Sequence, residues 1–194
     1  NRYLEREAFT SYEDFAQNLK INIPDSFNFA YDIIDEYARL EPDRLAMVWC
    51  DDSGEEKRFT FGDLKYWSDK TANFLKANGI KKGDRVMLIL RRRYEFYFFV
   101  FALCKIGAVY IPSTNQLKTM DIVYRANSAG VKMLITYNWD DTVQSVEESL
   151  EESETLEKIV LIGGERDGWV SYHKQIESAS SEWQRSCISR SLPT

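Results

Sequence analysis

The sequence predicts an α/β fold: a parallel sheet with helices on both faces, preceded by a helical segment and a β-hairpin. Four short apolar runs, Val86–Leu90, Ala108–Pro112, Lys132–Tyr137 and Lys158–Ile162, recur through the second half of the chain. Each reads as a strand apolar on both faces, as a sheet covered on both sides requires. Between them lie stretches of helical period, two of which stop at a glycine, Gly107 and Gly130, able to take the left-handed backbone that ends a helix. Right-handed crossovers between such strands follow.

Taken in order, Ser11 can cap a short helix through Leu19, and Pro24 ends that region. Asn28 precedes Ala30, Ile33, Ile34, Tyr37 and Ala38, which share helical spacing before Pro42. Leu45–Cys50 and Lys57–Phe61 read as the strands of a hairpin across the turn at Gly54. Thr60 stands three residues before Asp63, the spacing of a reciprocal helix cap. Leu64, Trp67, Thr71, Ala72 and Leu75 then fall on one helical face, with Gly79 as the stop.

From Arg85 strands and helices alternate, with helices over Tyr94–Ile106, Thr119–Ala129, Thr142–Leu150 and Ser171–Ala179. The aromatic crowding in Tyr94–Ile106 predicts a helix in contact on more than one side. Three parts are expected: residues 1–82, an amino-terminal unit of helices and hairpin; 83–180, a Rossmann-like parallel subdomain; and 181–194, a polar tail or linker.

Composition narrows the function. Among 194 residues, 25 Lys and Arg stand against 31 Asp and Glu, a net charge of −6. An acidic balance argues against nucleic acid as partner, because duplex binding rests on cations that displace counterions. The densest apolar stretch is interrupted by Glu95 and Lys105 and is too short for a membrane span. The first residues lack the apolar segment of a signal peptide. Cys50, Cys104 and Cys187 are too few and too dispersed for a disulfide framework or a Cys-type zinc site, which points to a reducing, cytoplasmic setting.

In a doubly wound sheet, ligands bind beyond the carboxyl ends of the strands. There the chain offers Arg91-Arg92-Arg93 after one strand, Ser113 to Leu117 after the next and Asn138 to Asp141 after a third. None has the glycine pattern of a phosphate loop. Thr114 and Gln116 are the polar residues best placed to touch a ligand. The arginines suit an anion or a solvated turn. The acidic residues from Asp140 to Glu157 read as an outer helical face, and His173, the single histidine, as an exposed helix residue. No catalytic residue and no metal-ligand set emerges from the spacing.

Several segments together resemble the adenylate-forming enzymes. Phe59-Thr60-Phe61-Gly62-Asp63-Leu64 is similar to their first shared motif, and Gly83-Asp84-Arg85-Val86 to the strand entry that follows. Ala102 to Pro112 is similar to the second motif, and Gln116 to Arg125 resembles the medium-chain branch of the AMP-forming acyl-CoA synthetases. The resemblance covers approximately residues 10–180 and implies part of the large domain of that fold.

It further implies a two-step ligase: a carboxylic acid and ATP form an acyl-adenylate and diphosphate, and coenzyme A then displaces AMP. The cofactors implied are ATP, Mg²⁺ and coenzyme A, and the partners are small molecules, a short- to medium-chain acid and coenzyme A. Gln116 matches the glutamine that contacts coenzyme A in that branch. The family's phosphate loop, metal-binding acid, ribose-binding Asp and adenylation Lys follow this region in sequence. These 194 residues are therefore expected to be an inactive amino-terminal part that binds no cofactor tightly and self-associates through exposed apolar surface. The alternative reading is a non-catalytic α/β binding or interaction module on the same scaffold. The reading frame beyond Thr194 discriminates the two.

Overall fold

The computed structural model describes residues 3–185. A five-stranded parallel sheet organises it: β3 (Arg85–Ile89), β4 (Val109–Pro112), β5 (Val131–Tyr137), β6 (Lys158–Ile162) and β7 (Val170–Ser171), in the order β4-β3-β5-β6-β7. The chain moves from β3 to one neighbour, β4, then crosses to the other side for β5, so the topological switch lies beside β3.

Side chains alternate between two cores, as the strand period of two requires. Val86, Leu88, Met133, Ile135, Val160 and Ile162 face helices α3 (Phe61–Ala77), α4 (Glu95–Ile106) and α7 (Tyr172–Ser178). Met87, Ile89, Leu134 and Ile159 face α5 (Thr119–Ala129) and α6 (Asp140–Ser149). The helix stops are as read from sequence: Gly107 (φ 77°) and Gly130 (φ 62°) end α4 and α5 in the left-handed conformation. One strand departs from expectation. Along β4, Val109 and Tyr110 are exposed, because β4 is the sheet's outer edge among the described residues.

The hairpin, β1 (Leu45–Cys50) with β2 (Glu56–Thr60), is a separate antiparallel sheet. It joins the body through Trp49 and Phe59, which pack with Tyr94, Phe98 and Phe101 of the α4 region. The aromatic helix is therefore buried on two sides: Phe99 enters the main core and Phe98 the hairpin core. Thr60 caps α3 reciprocally with Asp63, its hydroxyl accepting from the Asp63 amide at 3.1 Å and its own amide donating to Asp63 at 2.8 Å.

Before the hairpin, α1 (Tyr12–Asn18) starts at Ser11, whose Oγ accepts from the Asp14 amide. The next helix opens as a π-helical turn, Ala30–Asp35, before continuing as α2 (Glu36–Leu40), where the spacing predicts α-helix throughout. Asn28 caps it, Oδ1 accepting from Ala30 N at 3.0 Å, and is itself held by Asp32 and by the Cys104 carbonyl. The wider turn accompanies an ion cluster of sequence-remote groups: Lys105 Nζ, wholly buried, lies 2.7 Å from Asp35 and 2.5 Å from Asp69, and donates to Ser68 Oγ at 2.9 Å. Asp69 also pairs with Lys65. Burial raises the Asp35 carboxyl above its ordinary range although Lys105 pulls the other way.

Where a polar linker is expected after Ser180, the described residues are tied to the body. Asn73 donates to the carbonyls of Ser180 and Glu182, Trp183 Nε1 donates to Tyr31 Oη at 2.7 Å, and Arg185 pairs with Asp32. The rest of the expected tail, residues 186–194 with Cys187, lies outside the described residues.

Candidate functional site

The carboxyl ends of β3, β4 and β5 open on a cleft of about 660 Å³. Its walls are Arg91 from the end of β3, Asn115 to Lys118 from the loop after β4, and Asn138 to Thr142 from the loop and helix start after β5. The topology creates this opening, because the connection leaving β3 runs outward to β4 while the connection leaving its other neighbour, β5, runs outward to β6.

Gln116, the first sequence candidate, is exposed and lines this cleft. Thr114, the second, is not among its lining residues; its hydroxyl accepts from the Gln116 amide at 3.3 Å and so shapes the loop that presents Gln116. Beside them Ser113 Oγ is buried without a hydrogen-bond partner among the described residues, although the Ser113 amide donates to Leu88 O.

Charge divides the cleft. Arg91 and Lys118 stand on the β3–β4 side, Asp140 and Asp141 at the start of α6, with the amides of Asn115, Gln116 and Asn138 and the indole of Trp139 between them. Such a set can bind a ligand that carries phosphate, hydroxyl and aromatic parts at once. A second, smaller cleft of about 350 Å³ adjoins it, bounded by Trp49, the hairpin turn from Asp51 to Ser53, the three arginines and Tyr137. Asn138 and Trp139 come from the segment expected past the third strand, whereas Lys118, one residue beyond the loop read from sequence, carried no separate signal.

The three arginines differ. Arg93 is structural: it pairs with buried Glu95 through two bonds of 2.9 and 3.0 Å and stacks 4.4 Å from the Tyr137 ring centre. The Arg92 carbonyl accepts from Trp49 Nε1, and its side chain is exposed. His173, exposed on α7 as expected, accepts from the Gly163 amide at 3.2 Å. On the acidic stretch, Glu147 pairs with Arg166 and Glu148 accepts from Thr119. Among the described residues no group of three or more His, Cys, Asp or Glu converges as a metal site would, and no helix is long and apolar enough to cross a membrane.

Comparison with known proteins agrees with this architecture. A family model described as AMP-binding enzyme matches residues 34–190. The mouse protein named acyl-coenzyme A synthetase ACSM3, mitochondrial, is 38% identical over 182 residues, covering 90% of this chain and 31% of the relative. The rat protein named acyl-coenzyme A synthetase ACSM5, mitochondrial, is 35% identical, covering 82% of this chain and 28% of the relative. The chain thus spans about a third of the length of the curated relatives it matches.

Two solved structures share the fold. The anthranilate CoA ligase AuaEII, in complex with anthranoyl-AMP, superposes with TM-score 0.75 at 22% identity, over 84% of this chain and 30% of that one. The Brucella canis acyl-CoA synthetase gives TM-score 0.72 at 24% identity, over 85% of this chain and 30% of that one.

The cytoplasmic expectation is overturned, because these relatives are named as mitochondrial. Dispersed thiols separate reducing from oxidising surroundings and cannot separate one reducing compartment from another. Matched over residues 34–190, with the layered sheet and the switch-point cleft in place, the chain belongs to the family of AMP-binding enzymes.

Proposed function

We propose that this chain is the amino-terminal part of an AMP-forming acyl-coenzyme A synthetase, which joins a carboxylic acid to coenzyme A at the expense of ATP through an acyl-adenylate. The observation that carries the reading is the placement of Gln116 in the switch-point cleft, on a loop fixed by Thr114. The family match and the names of the curated relatives support it. A short- to medium-chain acid is the proposed substrate, on the resemblance of residues Gln116 to Arg125.

The cleft residues suit coenzyme A. In this reading the Gln116 carboxamide hydrogen-bonds the coenzyme, Arg91 and Lys118 offset phosphate charge, and the Trp139 indole offers a face to an aromatic base. When bound, coenzyme A supplies the thiol that accepts the acyl group. Residues 83–180 form the subdomain that presents this surface, with 1–82 buttressing it. ATP and Mg²⁺ belong to the whole enzyme. The described residues hold neither a glycine-rich phosphate loop nor a converging metal-ligand set, so no step is assigned to these groups here. The exposed apolar edge at Val109 and Tyr110 is the proposed contact for self-association when it is left uncovered. Residence in mitochondria is proposed from the relatives' names.

Titration of coenzyme A into the 194-residue chain tests the reading by amide chemical shifts. The Gln116 amide should move, and Gln116→Ala should weaken binding about fivefold or more, the loss of one good hydrogen bond. No response at Gln116, or equal binding by the variant, refutes the assignment. Acid-dependent ATP–diphosphate exchange is not expected from these 194 residues, and its detection would overturn the proposed division of labour.

A further inference from the structure

Among the described residues, seven glycines adopt positive φ, and one other residue does so: Arg91, at φ 46°. A Cβ makes that conformation unfavourable, and glycine would hold the same turn without it. Backbone of this kind gathers where a side chain is needed in a fixed place. Arg91 follows the end of β3, beside the topological switch, and its guanidinium has no ion-pair or hydrogen-bond partner among the described residues. It contrasts with Arg93, whose charge is taken up by buried Glu95. Arg91 and Trp139 are also the residues that line both clefts.

We infer that Arg91 is a phosphate-positioning residue, held by the left-handed turn so that its guanidinium meets a phosphate group of a ligand lying across the two clefts. The inference rests on the coenzyme A reading for the identity of that ligand, though not for the anion chemistry itself. Two features orient the ligand. Asp140 and Asp141 on the α6 side repel a phosphate, which directs it to the β3 side where Arg91 and Lys118 stand. Asp51 and Asp52 edge the smaller cleft, but Asp51 is engaged by the Ser53 hydroxyl and by the amides of Ser53 and Glu55, which fold the hairpin turn. The planar fork of an arginine suits two phosphate oxygens at once, whereas lysine offers a point charge.

The test compares the native chain with Arg91→Gly and Arg91→Lys, titrated with coenzyme A, 3′-dephospho-coenzyme A, AMP and inorganic diphosphate and followed by amide shifts. Arg91→Gly should fold at least as stably, since glycine suits the turn, and should bind coenzyme A about tenfold more weakly. Arg91→Lys should recover only part of the loss. A native preference for coenzyme A over its dephospho form that disappears in Arg91→Gly identifies the 3′-phosphate. An equal loss for both forms identifies the diphosphate.

If coenzyme A moves Gln116 but Arg91→Gly binds it as tightly as the native chain, this inference fails and the coenzyme A reading stands. If coenzyme A leaves Gln116 unmoved while AMP or diphosphate shifts Arg91 in the native chain alone, the coenzyme A reading fails and the phosphate site stands. Absence of any Arg91-dependent binding overturns the inference.

Discussion

Replacing Lys105 by Met should cost the fold about 3 kcal/mol, and the structure shows why. The ammonium is fully buried between Asp35 and Asp69, at 2.7 and 2.5 Å, and joins the π-helical turn to α3 and α4. Met preserves the chain length of the stem, so the cavity contribution is small and the loss is electrostatic. Breaking a buried pair by removing one partner costs about 3–5 kcal/mol, because a charge is left uncompensated. Asp69 keeps Lys65, whose charge also reaches Asp35, so the lower end of that range applies.

For a chain of this size such a loss lowers the melting temperature by about 6–12 °C. Urea denaturation followed by circular dichroism measures it. The double change Lys105→Met with Asp35→Asn should recover much of the stability, because the charge left behind is then neutral. A single-variant loss below about 1 kcal/mol, or a double variant no better than the single one, refutes the account.

Two further outcomes follow from the same interactions. Asp35 is held above the ordinary carboxylate range by burial, so the folded chain retains a proton that the unfolded chain has released. Stability should therefore fall as pH rises from about 4 through the raised value, and Asp35→Asn should flatten that slope in urea midpoints measured between pH 4 and 7; an unchanged slope counts against it. The two-stranded hairpin should exchange its amides much faster than Val86 to Ile89 of the central strand, since it has two open edges and one anchoring face. Equal protection by hydrogen exchange would show that the hairpin is not a separable unit.

What was legible in sequence was chemistry confined to a few neighbouring residues. The Thr60–Asp63 cap, the Ser11 cap and the glycine stops at 107 and 130 each depend on one turn of backbone, and each stands where the residues require it. Apolar period likewise gave the four main strands. The strand β7, two residues long, carries too little pattern to register.

Groups brought together from afar stayed hidden. Lys105 appeared only as a charge interrupting an apolar run, yet it is buried and neutralised by Asp35 and Asp69, which no period brings together with it. The place of Gln116 at the cleft was legible because it follows a strand, while Arg91 was one of three equivalent arginines until the backbone at φ 46° set it apart. The compartment failed for a different reason: thiol content does not encode it.

The bond from Trp183 to Tyr31 spans 152 positions of sequence, and Arg185 reaches Asp32 over a similar distance. During synthesis, the helix near Tyr31 leaves the ribosome long before the residues that clasp it exist. At about 5–20 residues per second, on the order of ten seconds separates the two. Throughout that interval Tyr31 lacks its indole partner, and for its first half the helix also lacks the Cys104 and Lys105 carbonyls that accept from Asn28 and Tyr31. Closing so large a loop adds little to the equilibrium entropy cost but delays this contact. The nascent helix therefore stays incompletely clasped until Trp183 emerges.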